Sequence, residues 1–101
     1  MFDNIDRRFK QIGYEPVNEF LLMEFAETAS DISLEYRLKK YGFKRAYRIL
    51  YNGFFIIIET NNDVTAYDPE GSPTGFELNE IEAVHYFYEE MGLLKEESNG
   101  N

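Results

Sequence analysis

The chain contains no cysteine and no tryptophan, one histidine and three prolines, and only 10 lysines and arginines against 19 aspartates and glutamates. Without cysteine there is no disulfide framework, no thiolate nucleophile and no thiolate metal site. His85 is the only imidazole, so a hydrolytic triad would have to be built on it. Ser30, Ser33, Ser72 and Ser98 have no recognisable partners, and no glycine-rich phosphate loop is present. No apolar run approaches the roughly 20 residues of a membrane span, and no basic-then-apolar signal segment opens the chain; a cytoplasmic protein without a membrane partner is expected. A net charge of −9 disfavours general attraction to nucleic acid or to an anionic membrane. Neither an enzyme nor a bound cofactor is expected.

What is present is a strand-rich centre. With 44% hydrophobic and 17% aromatic content in 101 residues, the chain suits one domain with a real core. Tyr47 to Thr60 is its most apolar and most β-branched stretch. Asn52-Gly53 in its middle predicts a two-residue type I′ hairpin, because both central positions of that turn need positive φ. The implied register sets Tyr51 opposite Phe54, Leu50 opposite Phe55, Ile49 opposite Ile56, Arg48 opposite Ile57 and Tyr47 opposite Ile58. One face then carries Tyr47, Ile49, Tyr51, Phe54, Ile56 and Ile58 and needs a helix layer over it.

Phe2, Ile5, Phe9 and Ile12 share one side of a first helix, ended by Gly13-Tyr14 and Pro16. Glu19 to Glu27 reads as a strand, with Leu21, Met23 and Phe25 opposite Phe20 and Leu22. Ile32 to Lys39 alternates strictly and reads as a second strand. Phe43 to Tyr51 follows, then the second hairpin arm, then Val64 to Tyr67 at a sheet edge; residues 68–75, with two prolines and two glycines, read as loop. A final helix of about five turns starts between Leu78 and Glu80, with Asn79 and Glu82 as a capping box and Gly92-Leu93 as its stop. Its apolar stripe is Leu78, Ile81, Val84, His85, Phe87, Tyr88 and Met91, so His85 is expected packed in the core or at an interface. Residues 95–101 read as a polar, disordered, acidic tail. The expected fold class is α+β: one domain over 1–94, with a five-stranded antiparallel meander flanked by an N-terminal and a C-terminal helix.

The opening Met-Phe-Asp-Asn-Ile-Asp-Arg-Arg-Phe-Lys-Gln-Ile-Gly-Tyr-Glu resembles the start of small phage and prophage proteins of Gram-positive bacteria. Phe76-Glu-Leu-Asn-Glu-Ile-Glu-Ala-Val to Glu90-Met-Gly-Leu-Leu94 is similar to their last helix. The likeness covers about a third of the chain and rests on helix starts and stops, which helix physics also favours. The chain departs from it in carrying Leu93 where tryptophan is common and in its basic middle. The resemblance implies a phage or prophage origin, hence a bacterial host cell, and brings no activity and no site residue.

Charge is segregated along the chain: −5 over residues 1–35, +6 over 36–58 and −10 over 59–101. Arg37, Lys39, Lys40, Lys44, Arg45 and Arg48, interleaved with Tyr36, Tyr41, Phe43, Tyr47 and Tyr51, resemble a surface for single-stranded nucleic acid. The simpler reading, that these cations neutralise the protein's own carboxylates, is preferred because Tyr36, Tyr47 and Tyr51 are needed on the buried face. Glu77, Glu80, Glu82, Glu89 and Glu90 form an acidic helix that can imitate a phosphate backbone, against the alternative of a solvated helix face. Asp63, Asp68 and Glu70 do not match a calcium loop and read as turn residues.

Leu50, Phe55 and Ile57, on the second face of the hairpin, need a cover: either a helix on each side of the sheet or a second chain, making this a possible homodimer face. The function expected is binding, as a phage or prophage accessory protein that engages a host or defence protein, with inhibition of a defence enzyme as the expected consequence. The alternatives are a nucleic-acid module using residues 36–51 and a small-ligand binder, which requires a deep pocket between sheet and helices.

Overall fold

The computed structural model describes residues 2–94. Its elements, in order, are α1 (Asp3–Lys10), β1 (Tyr14–Pro16), α2 (Glu19–Glu27), α3 (Ser33–Tyr41), β2 (Phe43–Ile49), β3 (Phe55–Glu59), β4 (Val64–Tyr67), β5 (Pro73–Thr74) and α4 (Leu78–Glu90). The sheet is five-stranded and antiparallel throughout, in the order β1-β2-β3-β4-β5. The expected α+β class, strand number and flanking helices are all present. The acidic tail at 95–101 lies outside the described residues.

Two of the expected strands are helices. At 33–41 the alternating pattern places Leu34 and Leu38 four residues apart, a spacing that fits one side of a helix as well as one face of a strand. Local signals decide it. Asp31 accepts a hydrogen bond from the Ser33 N–H at 3.1 Å, and Gly42 closes the helix at φ +79°. Ile32 and Tyr36, which a strand would have buried beside Leu34, are exposed. At 19–27 the Asn18 side chain accepts from the Leu21 N–H at 2.8 Å and caps α2, whose Leu22 and Ala26 face inward. The strands missed in sequence, β1 and β5, are three and two residues long and each carries a proline. They lie at the two sheet edges, where a missing amide donor is tolerated. Thus β4 is internal to the sheet, covered by β5 from within the predicted loop.

The central hairpin forms with a longer turn. Arg48 pairs with Phe55, Tyr47 with Ile56 and Ala46 with Ile57, two residues out of the predicted register. Ile49 N–H donates to the Phe54 carbonyl at 2.9 Å and Gly53 N–H to the Ile49 carbonyl at 2.8 Å. Gly53 has φ +77°, whereas Asn52 is not in the left-handed region, so the type I′ turn does not form. A two-residue slip preserves the faces because side chains alternate with period two. Tyr51 leaves the ladder and stands exposed at the loop tip.

Both faces of the sheet are covered. Tyr47, Ile49, Ile56 and Ile58 pack with Ile5 and Phe9 of α1 and with Ala83, Val84 and Phe87 of α4. Phe9 stacks on Tyr47 with ring centroids 4.2 Å apart. On the other side Ala46, Phe55, Ile57 and Tyr67 pack with Leu22, Ala26, Leu34 and Leu38 of α2 and α3, and Phe25 stacks on Phe55 at 3.9 Å. The face proposed for a second chain is therefore filled by the protein's own helices: Phe55 and Ile57 are buried, and Leu50 alone is exposed, in the hairpin loop.

The α2–α3 pair is fastened at its connection. Ser30 N–H donates to the Glu70 carbonyl at 2.8 Å and Asp31 N–H to the Gly71 carbonyl at 3.0 Å. Gly71 has φ +82°, and a Cβ built there would lie 2.3 Å from the Ala29 Cβ and 2.4 Å from its Cα. Gly71→Ala combines backbone strain of about 1–3 kcal/mol with overpacking against backbone of about 1–3 kcal/mol. Urea unfolding is expected to show a loss within their sum, with Gly75→Ala, where a Cβ meets nothing within 4 Å, serving as the near-neutral control.

Candidate partner-binding surface

The six cations of residues 37–48 do not share a surface. Arg37, Lys39 and Lys40 lie on α3, and Lys44, Arg45 and Arg48 on β2. Arg37 reaches across the sheet, donating to the Glu59 carboxylate at 3.4 and 3.3 Å and to the Tyr67 hydroxyl at 2.9 Å, with Asp31 at 3.5 Å and Ser33 Oγ also in contact. Arg45 pairs with Asp6 of α1, which also accepts the Tyr47 hydroxyl at 2.7 Å. Lys39 pairs with Glu35 at 2.8 Å, and Lys44 donates to the Asn62 side chain. Lys40 sits over the Tyr36 and Tyr41 rings, 5.4 Å from each. Arg48 lies 6.0 Å above the Phe55 ring and opposite Glu15 of β1. Most of these cations serve the chain's own acids and rings.

Their charge states follow from those contacts. The hydrogen bonds it donates to the Asp6 carboxylate hold the pKa of the Arg45 guanidinium above its ordinary value. Burial lowers that of Arg37, but Glu59 outweighs it and the net direction is up. Burial pushes the Asp31 carboxyl up, while hydrogen bonds from Ser33 and the nearby Arg37 outweigh it and leave Asp31 below the usual carboxylate range.

The acidic set divides three ways. Glu80 is buried and does not belong to the exposed acidic face of the helix: its Oε2 accepts the Tyr14 hydroxyl at 2.7 Å and its Oε1 accepts the Glu77 N–H at 2.8 Å. Glu77 and Glu80 form the capping box of α4, two residues ahead of the predicted Asn79 and Glu82. Glu82, Glu89 and Glu90 are exposed, and among the described residues none is paired with a lysine or arginine. Helix α4 runs 13 residues, shorter than the five turns expected, and closes at Gly92 as predicted, with Leu93 N–H donating to the Tyr88 carbonyl at 2.8 Å.

The buried arc of α4 is rotated from its apolar arc by roughly a fifth of a turn. Glu80, Ala83, Val84 and Phe87 face inward, whereas Leu78 is 73% exposed and Ile81 49%. His85, expected to be packed, is a surface residue with Nδ1 3.8 Å from Glu89. Leu78, Ile81, Glu82, His85 and Glu89 recur at helical spacing and form one outward stripe. Ile81, Glu82, His85 and Glu89 of this stripe line a groove of about 440 Å³ together with Tyr86 and Arg8, whose guanidinium lies 5.1 Å over the Tyr86 ring.

Compared with family models, with curated proteins and with solved structures, the chain gives no match. Among the described residues no group of three or more metal-ligating side chains converges and no helix is long and apolar enough to cross a membrane. Asp68 accepts the Glu70 and Ser72 N–H groups, the turn role expected of it.

Two buried phenols give the fold a defined alkaline limit. Burial raises the pKa of Tyr14 and Tyr47, and the carboxylates that accept their hydrogen bonds, Glu80 and Asp6, raise them further. Below about pH 10 both folded and unfolded chains hold these protons; above it the unfolded chain releases them and the folded one does not, so stability falls. The slope is roughly 1.4 kcal/mol per pH unit for each tyrosine. Urea midpoints measured at pH 9, 10 and 11 are expected to be level and then drop, with a shallower drop in the Tyr14→Phe, Tyr47→Phe double variant; a level midpoint to pH 11 would refute this account.

Proposed function

We propose that the protein acts by binding a partner protein with a basic surface, through the outward stripe of α4. The observation that carries this reading is the stripe itself, where two exposed aliphatic side chains, Leu78 and Ile81, adjoin Glu82 and Glu89 on one helix face. Apolar contact supplies affinity and the carboxylates supply selection for a basic patch. A second feature supports it. The last turn of α4 contains glutamates and no basic residue, against the preference of the helix dipole for cations at that end, a bias worth about 0.3–1 kcal/mol per charge. Helix stability does not call for these acids there.

Given the resemblance of the chain ends to phage and prophage proteins, the partner that fits is a bacterial defence enzyme whose nucleic-acid channel accepts a row of carboxylates in place of phosphates. The internal pairing of Arg37, Arg45 and Lys39 speaks against the basic-hairpin alternative.

Affinity capture from nuclease-treated bacterial lysate tests the reading, using the wild type beside a Glu82→Gln, Glu89→Gln, Glu90→Gln variant and an Ile81→Ser variant, each checked for unchanged circular dichroism. A protein retained by the wild type, released as salt rises, displaced by duplex DNA and weakened in both variants is the expected outcome. Equal retention by all three chains would sink the proposal, as would retention that depends on nucleic acid surviving in the lysate.

A further inference from the structure

At the start of α4, on the side of the helix turned toward the sheet, the fold leaves a cavity of about 310 Å³ between the sheet, the β2–β3 loop and the first turn of the helix. Its walls include Tyr14, Ile49, Tyr51, Phe54, Glu77 and Glu80. Every charged residue lining it is acidic. A helix N-terminus ordinarily attracts anions, but here the capping box already occupies its first amides, and a further anion would meet two carboxylates. Glu80 is only 9% exposed and is held by neutral donors alone, the Tyr14 hydroxyl and the Glu77 N–H. A buried carboxylate without a counter-ion is costly unless a cation reaches it. Each carboxylate oxygen has two lone-pair sites, so Oε1 and Oε2 both retain capacity after these bonds.

The rest of the lining narrows the class of cation. Tyr51 is 85% exposed on the loop, and Phe54 stands partly buried beside it. Aromatic faces next to carboxylates attract organic cations, and Ile49 offers an apolar wall to an alkyl stem. Only two carboxylates line the cavity, and among the described residues no group of three or more metal-ligating side chains converges, so nothing here favours a divalent metal over an organic cation. The volume lies at the small end of ligand sites, which run from about 300 to 1,000 Å³, and suits a guanidinium or alkylammonium group better than a nucleotide.

We propose that this cavity binds an organic cation, an alkylguanidinium or alkylammonium group, supplied either by a free small molecule or by an arginine or lysine side chain. The site is separate from the outward stripe of α4, so it stands or falls independently of the partner-binding reading.

Titration of the labelled protein with butylguanidinium, butylammonium and neutral butylurea, and with a capped tetrapeptide carrying one arginine, tests it by nuclear magnetic resonance. Saturable shifts at Tyr14, Tyr51, Phe54 and Glu80 are expected with the cations and not with butylurea. Binding by the small cations at least as tight as by the peptide assigns the site to free molecules; tighter peptide binding assigns it to a side chain. Glu77→Gln should weaken binding about tenfold. Tyr51→Ala, at an exposed position where the fold is not at risk, should weaken it roughly two- to fivefold. No saturable shift with any cation, binding of butylurea as tight as of butylguanidinium, or full affinity in both variants would overturn the proposal.

Discussion

The constraint on which the rest of this structure depends is that β3 has no exposed residue. All five side chains from Phe55 to Glu59 are buried, Ile56 and Ile58 on one face and Phe55, Ile57 and Glu59 on the other. A strand of that kind needs a layer on each side. The chain supplies α1 and α4 to one face and α2 and α3 to the other, which is why two helices are inserted between β1 and its neighbour β2. The exception inside this apolar run, Glu59, sits where Arg37 of α3 can reach it, and that pair also ties α3 to the sheet. Removing Arg37 would strand the Glu59 carboxylate in the core layer, a greater loss than a surface ion pair represents, whereas removing Glu59 leaves Arg37 still paired with Asp31.

Satisfying those interior acids has an external consequence. Arg37 and Arg45 meet Asp31, Glu59 and Asp6, so part of the positive charge is cancelled at the sheet–helix seams. The acids left outside have little to oppose them on α2 and α4, whose last turns contain no basic residue. The segregation visible along the chain is thus converted by folding into a neutralised interior and an acidic exterior. Neutralisation of the protein's own carboxylates is what the tyrosine pattern favoured, though for a different reason: Tyr36 and Tyr51, assigned to the buried face, are both exposed.

What was legible in sequence was set by signals that are local and strong. The periodicity of Phe2, Ile5 and Phe9, the glycine stops at Gly13 and Gly92, and the β-branched run at 55–58 each fix one element without help from elsewhere. The segments at 19–27 and 33–41 misled because a spacing of four is common to both periods, and the deciding contacts, the Asn18 cap and the Asp31 carboxylate that accepts the Ser33 N–H, are single side chains. β1 and β5 were invisible because strands this short derive their identity from the neighbour they pair with. Of the candidate site, the exposed glutamates at 82, 89 and 90 were readable as a helix face, whereas the burial of Glu80 depended on Tyr14, which lies 66 residues away in the chain.

That long-range pair also explains why α4 is turned as it is. Burying Leu78 and Ile81 in place of Glu80 and Ala83 would gain on the order of 1.5–3 kcal/mol for each aliphatic side chain fully removed from water. Against that gain stand the Tyr14–Glu80 hydrogen bond, the capping box that Glu80 completes, and the close approach to α1 and the sheet that a small Ala83 permits. The observed rotation satisfies the polar set and leaves the aliphatic pair in solvent. One choice of helix rotation therefore produces both surfaces of interest: it turns Glu80 into the cavity at the helix start and turns Leu78 and Ile81 outward beside Glu82 and Glu89. A residue that holds the rotation, above all Tyr14, controls the two together, although it lies on neither the outer stripe nor α4.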